Sequence, residues 1–348
     1  MDKRRIVQVG QVALGNGTVY VQSMLSVAAD DVDGNVAQAL ELQRAGCDIV
    51  RVAVPTLKDV RLIHALKSTL TMPVVADIHF DSRIAIESVR AGADKIRINP
   101  GNIGSDDRVR AVVDECKRAG VPIRVGVNGG SVKVGKTIVQ SALEHITVLE
   151  RFDFFDIAVS VKSSDVCETV AAYRELARLC PYPLHLGVTE AGTERMGLIK
   201  SAVGIGALLC DGIGDTIRVS LTADPVREIE AAFDILRAVG RSGIHPRLAN
   251  AVKVVSCPTC GRCGIDVVSL ANQVEQRLSR LSFDKPLKIA VMGCVVNGPG
   301  ECKDADFGIT GGNGEGLIFR DGAVIRKVHE KELLSALLSE IEIENYGS

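Results

Sequence analysis

Aromatic residues are scarce in this chain, at 3% with no tryptophan, and its charges nearly cancel, at a net −2 with no basic block. A nucleic-acid surface needs a cationic stripe and usually stacking rings, so that class is excluded. No apolar run approaches the roughly 20 residues of a membrane span, which excludes a membrane partner. The opening MDKRRIVQVGQVAL is too polar after its basic start for a signal peptide, and a soluble, cytoplasmic protein is expected. Without an export signal, the ten cysteines are expected as thiols, used as ligands or packed in cores, not as disulfides. There is also no glycine-rich fingerprint for direct use of a nicotinamide nucleotide.

What is present is repetition. A chain of 348 residues with 46% hydrophobic content fits one large domain and one small one. Short β-rich runs fall at 19–23, 48–54, 74–79, 95–99, 122–128, 156–162, 184–189 and 216–221. Amphipathic helical stretches follow at 34–46, 58–70, 82–92, 105–119, 137–151, 165–179, 194–208 and 224–239. Eight consecutive βα units predict a TIM (β/α)8 barrel over residues 1–246, with a doubly wound open sheet as the runner-up. IVQVG and VALGNG before the first unit suggest a small hairpin plugging the barrel. After residue 246 the texture changes to AVKVVSC, a helix at 265–280, LKIAVMGC, short strands at 306–310, 316–320 and 323–328, and a closing helix at 330–344. This predicts a compact α/β domain over 247–348.

Alternate residues of a strand face the barrel interior. That register sends Arg51, Lys95, Arg97, Arg124, Lys162 and Arg218 inward, with Asp77 and His79, Asn99 and Asn128, Ser160 and Ser220, and His185 and Thr189. Asp77 is the one acid among these strand positions, and Glu190 follows the seventh strand. Barrel interiors are normally branched and apolar, and buried charge is unfavourable unless paired. An anion at the C-terminal mouth, a phosphorylated substrate, balances such an excess, because arginine matches phosphate oxygens bidentately and lysine adds a point charge. The alternative is a purely structural polar lumen. Lys95, near a strand start, reads equally as a bottom-layer ion-pair member. His185 reads as a hydrogen-bonded core histidine, and His64, His145, His245 and His329 as surface residues.

Five cysteines cluster at the other end of the chain, in SCPTCGRC (256–263) and GCVVNGPGEC (293–302). Thiolates on tight turns can converge on a soft metal or an iron–sulfur cluster. Three ligand sets are open: a zinc site of Cys257, Cys260, Cys294 and Cys302; a four-cysteine iron–sulfur cluster recruiting Cys263 or Cys302; and three cysteines with the carboxylate of Glu301. A zinc ribbon usually supplies a second C-x2-C pair, and none is present. Cys47, Cys116, Cys167, Cys180 and Cys210 lie on or near barrel helices and read as small buried hydrophobes.

Taken together, VRVAVP (50–55), ADIHF (76–80), IRINPGNIG (96–104), IRVGVNGGS (123–131), SVKSSD (160–165), LHLGVTEAG (184–192), GDTIRVSL (214–221), SCPTCGR and GCVVNGPGE make the chain resemble the 4-hydroxy-3-methylbut-2-enyl diphosphate synthase family of the non-mevalonate isoprenoid pathway, in its short two-domain bacterial form. The resemblance covers essentially the whole chain. It implies a TIM barrel followed by a small α/β iron–sulfur domain, with a [4Fe–4S] cluster on Cys257, Cys260, Cys294 and Glu301. It implies reductive ring opening and dehydration of 2-C-methyl-D-erythritol 2,4-cyclodiphosphate, with reduced flavodoxin or ferredoxin as electron donor and a head-to-tail homodimer. Arg51, Asp77, Arg97, Arg124, Asn128, Lys162, Arg218 and Ser220 become the candidate substrate-binding set, and Glu190, His79 and Thr189 the candidate catalytic one. Cys263 and Cys302 depart from the family pattern. A non-redox iron–sulfur dehydratase and a zinc-stabilised anion-binding protein are the competing readings.

Overall fold

The computed structural model describes residues 4–346 except 133, 242, 280, 282, 295, 297 and 313. The chain divides into two compact units, Met1–His245 and Pro246–Ser348.

The first unit opens with an antiparallel hairpin, β1 (Val7–Val9) and β2 (Val12–Leu14). Eight parallel strands follow: β3 (Tyr20–Met24), β4 (Ile49–Ala53), β5 (Val74–Asp77), β6 (Lys95–Ile98), β7 (Ile123–Asn128), β8 (Ile157–Lys162), β9 (His185–Leu186) and β10 (Thr216–Ile217). They pair in the order β8-β7-β6-β5-β4-β3-β10-β9. The ring closes through a parallel bridge between Val159 and Leu184, with the Val159 amide donating to the Pro183 carbonyl at 2.9 Å. The barrel is therefore the TIM form and not the open sheet. Val7, Val9, Val12 and Leu14 of the hairpin are buried with Ile49, Val75 and Ala158, so an apolar plug floors the barrel.

The helices are α1 (Val32–Ala45), α2 (Val60–Thr69), α3 (Ser82–Arg90), α4 (Pro100–Ile103), α5 (Asp106–Ala119), α6 (Ile138–Glu150), α7 (Val166–Leu179), α8 (Glu194–Cys210) and α9 (Pro225–Val239). Asp31, Asp81, Asp165 and Asp224 start α1, α3, α7 and α9 by accepting hydrogen bonds from first-turn amides. Gly46, Gly120 and Gly240 end α1, α5 and α9 in the left-handed conformation that a side chain disfavours.

Three differences from the sequence reading bear on the site. The ladder of the third strand ends at Asp77, leaving His79 in the following loop. The seventh and eighth strands shrink to two residues each. Beyond Leu186 the backbone keeps single hydrogen bonds instead, with the Arg218 amide donating to the Leu186 carbonyl at 3.0 Å and the Thr189 amide to the Ser163 carbonyl at 3.2 Å. Gly187 allows this close approach: a Cβ there would lie 2.6 Å from Lys162 Nζ and 2.7 Å from the Arg218 carbonyl. Finally, His245 is buried at 3% exposure, not at the surface, with Nε2 3.0 Å from Asp48 Oδ2.

The second unit is a five-stranded sheet, β11 (Val252–Ser256), β12 (Leu287–Met292), β13 (Phe307–Gly312), β14 (Glu315–Arg320) and β15 (Ala323–His329), in sequential order. β11, β12 and β13 run parallel and the last two pairings are antiparallel. Helices α10 (Val267–Leu278) and α12 (Leu333–Tyr346) pack on one core with Ile289, Val291, Phe307 and Ile309. A short helix, α11 (Gly298–Lys303), stands where the sequence suggested only an Asn-Gly-Pro-Gly turn. Glycine and proline read as a turn, yet proline is well suited to the first turn of a helix, where its missing N–H is not needed. Asn297 of that turn and Arg280 of the expected helix lie outside the described residues.

Candidate active site

Strand register places the barrel's charged residues side by side. Met24 on β3 pairs with Arg51 on β4, Asp77 on β5 with Arg97 on β6, Arg97 with Arg124 on β7, and Asn128 with Lys162 on β8. Their side chains line a cavity of about 230 Å3 in the lumen. Arg51, Asp77, His79, Arg97 and Arg124 form part of its wall. Asn128, Ser160, Lys162, Thr189, Arg218 and Ser220 form most of the rest, so the sequence-derived substrate set converges as a group. Glu190 is not part of this lining. It follows Thr189 with φ +50, in a left-handed conformation that costs a residue with a Cβ about 1–2 kcal/mol.

Asp77 is the electrostatic hub. Its Oδ1 lies 3.2 Å from Arg97 Nη1, and its Oδ2 lies 3.6 Å from Arg51 Nε and 3.7 Å from His79 Nε2. Burial pushes its carboxyl up, but Arg51, Arg97, Arg124 and His79 more than offset this and hold it below the usual carboxylate range. Burial, followed by its cationic neighbours, pushes Arg51 down to about 10 despite Asp77.

Arg124 is the extreme case. It is 1% exposed, and none of its three guanidinium nitrogens has a hydrogen-bond partner among the described residues. Burial, then Arg51 and Arg97, pushes it well below its ordinary value. Arginine keeps its charge even so, which leaves an unfavourable buried cation that an arriving anion relieves. Lys162 and Lys95 are pushed down in the same direction, first by burial and then by Arg124. Lys95 is fully buried, and among the described residues its Nζ has no hydrogen-bond or ion-pair partner, nor does Lys95 line the cavity. His185 Nδ1 sits 2.8 Å from Thr216 Oγ1, as a core histidine should.

Two residues that touch the lumen arginines escaped the sequence reading. Glu228 on α9 is 4% exposed and reaches Arg218, with Oε1 3.4 Å from Nη2 and 3.1 Å from the Leu221 amide, while Oε2 accepts from Ser23 Oγ at 3.1 Å. Among the described residues, the acids ion-paired with the lumen's basic groups are thus Asp77 and Glu228. A charged residue on the buried face of α9, among Pro225, Ile229 and Ala232, was the available signal. The other is Met24, whose sulfur faces Arg51 and Arg218.

In the second unit, β11 and β12 are neighbours in parallel register, Ser256 beside Val291. Cys257 and Cys294 therefore follow the same edge of the sheet, with Cys260 on the intervening loop and Glu301 on α11. The Thr259 amide donates to Cys257 Sγ at 3.3 Å from a backbone held at φ +67. Backbone and side-chain hydrogen bonds from Arg262 hold the Cys260 thiol below its ordinary value. Among the described residues no three His, Cys, Asp or Glu side chains stand together as a preformed cage. The donor chemistry nevertheless suits a cluster: two cysteines follow adjacent parallel strands, a third lies on the loop after β11, and the exposed Glu301 offers a carboxylate.

The two remaining cysteines point elsewhere. Cys302 is fully buried against Gly308, among Ala290, Met292, Ala305 and Phe319, and burial followed by Glu301 pushes its thiol up to about 11. Cys263 packs against Gly293 and the main core. Of the barrel cysteines, Cys47, Cys116 and Cys180 are buried, but Cys167 and Cys210 are exposed, unlike the expected small core residues.

Comparison with known proteins adds the family. Residues 4–233 match the GcpE TIM-barrel domain, and residues 253–343 match the GcpE protein C-terminal domain. A protein of Caldanaerobacter subterraneus subsp. tengcongensis is 51% identical over 349 residues, covering 97% of this chain and 96% of its own. One of Anoxybacillus flavithermus is 48% identical over 360 residues, covering 100% and 97%. Both carry the name 4-hydroxy-3-methylbut-2-en-1-yl diphosphate synthase (flavodoxin). Among solved structures, Xanthomonas albilineans dihydropteroate synthase with 4-aminobenzoic acid aligns with TM-score 0.51 at 16% identity, over 68% of this chain and 98% of its own, a likeness of fold alone.

Proposed function

The chain belongs to the GcpE family, and from that premise we propose how its lumen and its cysteine edge divide the work. It is an iron–sulfur oxidoreductase of isoprenoid biosynthesis, converting 2-C-methyl-D-erythritol 2,4-cyclodiphosphate to 4-hydroxy-3-methylbut-2-enyl diphosphate. The substrate accepts two electrons and two protons, its ring C–O bond breaks, and one hydroxyl oxygen leaves as water.

The observation that carries the assignment of roles is the cationic excess of the lumen around Arg124, a guanidinium with no hydrogen-bond partner among the described residues. Arg51, Arg97 and Arg218 grip the two phosphates, with Asn128 and Ser220 donating hydrogen bonds. Ring opening turns a diester oxygen into a terminal phosphate oxygen and so raises the negative charge on the diphosphate. Arg124 and Lys162, held in a low-dielectric lumen, stabilise that developing charge without reorganising. Asp77 fixes Arg51, Arg97 and His79. Glu190 and Thr189, following β9, hydrogen-bond the departing hydroxyl and deliver its proton.

Cys257, Cys260, Cys294 and Glu301 are the ligands of a [4Fe–4S] cluster in this reading. When bound, that group supplies the electrons singly and a Lewis-acidic iron. Iron and sulfide analysis of anaerobically purified protein tests it. About four of each per chain, with brown absorption, is expected; zinc without sulfide would sink it. Flavodoxin is the electron donor, as the relatives' names indicate, with ferredoxin as the alternative. The subunits act as a head-to-tail homodimer with composite sites, a reading supported by the family resemblance and tested by light scattering on active enzyme. A fully active monomer would contradict it.

The lumen also sets a pH dependence. Lys162 is depressed by burial, then by Arg124 and its other cationic neighbours. A bound anion favours its ammonium form, so binding takes up a proton. Affinity is therefore retained below the depressed free-state pKa and declines as pH rises from there toward the ordinary lysine value. One linked proton changes Kd by at most about tenfold per pH unit. The diester phosphates of the substrate do not titrate in this range. Calorimetry between neutral and alkaline pH should show weakening, and a flat Kd would remove Lys162 from the binding set.

A further inference from the structure

Met24 closes strand β3 and lines the lumen cavity. Its Sδ lies 3.1 Å from Arg51 Nε and 2.7 Å from Arg51 Nη2, and 3.7 Å from Arg218 Nη1. Each arginine has a carboxylate partner as well, Asp77 for Arg51 at 3.6 Å and Glu228 for Arg218 at 3.4 Å. Two guanidiniums thus converge on one neutral sulfur, although Arg218 is among the charges that disfavour the protonated form of Arg51.

The chemistry of the bridging atom matters. A carboxylate here would hold both guanidiniums more strongly, but would cancel charge that a diphosphate needs. An aliphatic side chain would fill the space but offer no acceptor between the two cations, leaving each held only by its own carboxylate. A thioether accepts N–H hydrogen bonds weakly and carries no charge. Resting on the reading of the lumen as the cyclodiphosphate site, we propose that Met24 is a positioning residue, a neutral acceptor that holds Arg51 and Arg218 ready for the phosphates without neutralising them.

The proposal separates from simple packing by the order of three substitutions. If Met24 only fills space, Met24→Leu, close in shape and apolar, should behave as wild type, and the polar Met24→Gln should be worse. If Met24 acts as an acceptor, the order reverses, because glutamine offers a neutral carbonyl oxygen and leucine offers nothing. The measurement is calorimetric binding of 2-C-methyl-D-erythritol 2,4-cyclodiphosphate to anaerobic holoenzyme without reductant, with thermal unfolding of each variant alongside.

Met24→Gln is expected to bind within about threefold of wild type, Met24→Leu about tenfold more weakly, and Met24→Glu most weakly of all. In turnover, the loss in Met24→Leu should appear chiefly as a raised KM. Leucine binding as well as or better than glutamine, or glutamate matching wild type, overturns the role of Met24 while leaving the lumen site intact. Failure of the wild-type holoenzyme to bind the cyclodiphosphate would instead remove the lumen reading, and this proposal with it.

Discussion

Replacing Arg124 with methionine should lower kcat/KM for the cyclodiphosphate about a thousandfold while leaving the fold as stable as before, or more so. The two effects share one cause. The guanidinium is 1% exposed and has no hydrogen-bond partner among the described residues, so the Asp77 carboxylate only partly offsets the cost of its burial. Exchange of poorly compensated buried charge for an apolar side chain of similar length is neutral or stabilising, by up to about 1–4 kcal/mol. The same change removes charge-assisted hydrogen bonds from the anion at the point where negative charge grows. Steady-state kinetics and anaerobic thermal unfolding measure the pair. A melting temperature lowered by several degrees with kcat/KM intact would make Arg124 a structural residue and leave the anion site without its deepest contact.

Glu301→Ala is the second substitution of large expected effect, and it should separate cluster retention from turnover. Glu301 stands exposed on α11, seven residues after Cys294 in the chain. Three thiolates can keep a cluster, whereas the carboxylate is the harder and more readily exchanged ligand. Iron and sulfide per chain should therefore stay near wild type while kcat drops by roughly a thousandfold or more. Cys294→Ala should instead lose most of the iron. The neighbouring thiols offer no easy replacement, because Cys302 is buried in its own small core and Cys263 packs against Gly293. Full activity in Glu301→Ala would rule the carboxylate out as a functional ligand.

Much of the lumen was legible because strand periodicity is short and unforgiving. A two-residue repeat puts Arg97 and Arg124 on the inner face whichever residue ends the strand, and adjacent register brings them together. The same rule cannot reveal how far a ladder runs. His79 was assigned to a strand that ends at Asp77, and β9 stops at Leu186 because Gly187 lets Lys162 and the Arg218 carbonyl approach where a Cβ would stand. Contributions from other elements were hidden for a different reason. Glu228 reaches Arg218 from a helix, so it obeys no strand alternation, and its single signal was a charge on a buried helical face. Met24 was inward by register, but nothing in its side-chain type announced a sulfur shared between two arginines. Glu301 could be named a ligand by resemblance, yet its helix was concealed by a Gly-Pro-Gly run that reads as a turn.

In the proposed function the lumen binds the cyclic diphosphate and reduction opens its ring. Phosphorus NMR of anaerobic holoenzyme with the cyclodiphosphate, with and without a reduced one-electron donor, tests it most directly. Conversion of the ring phosphate signals to those of a linear diphosphate only when the donor is present is the predicted result. Conversion without any donor would identify a non-redox dehydratase, and no conversion with a fully loaded cluster would contradict the assignment of this lumen as the reaction site.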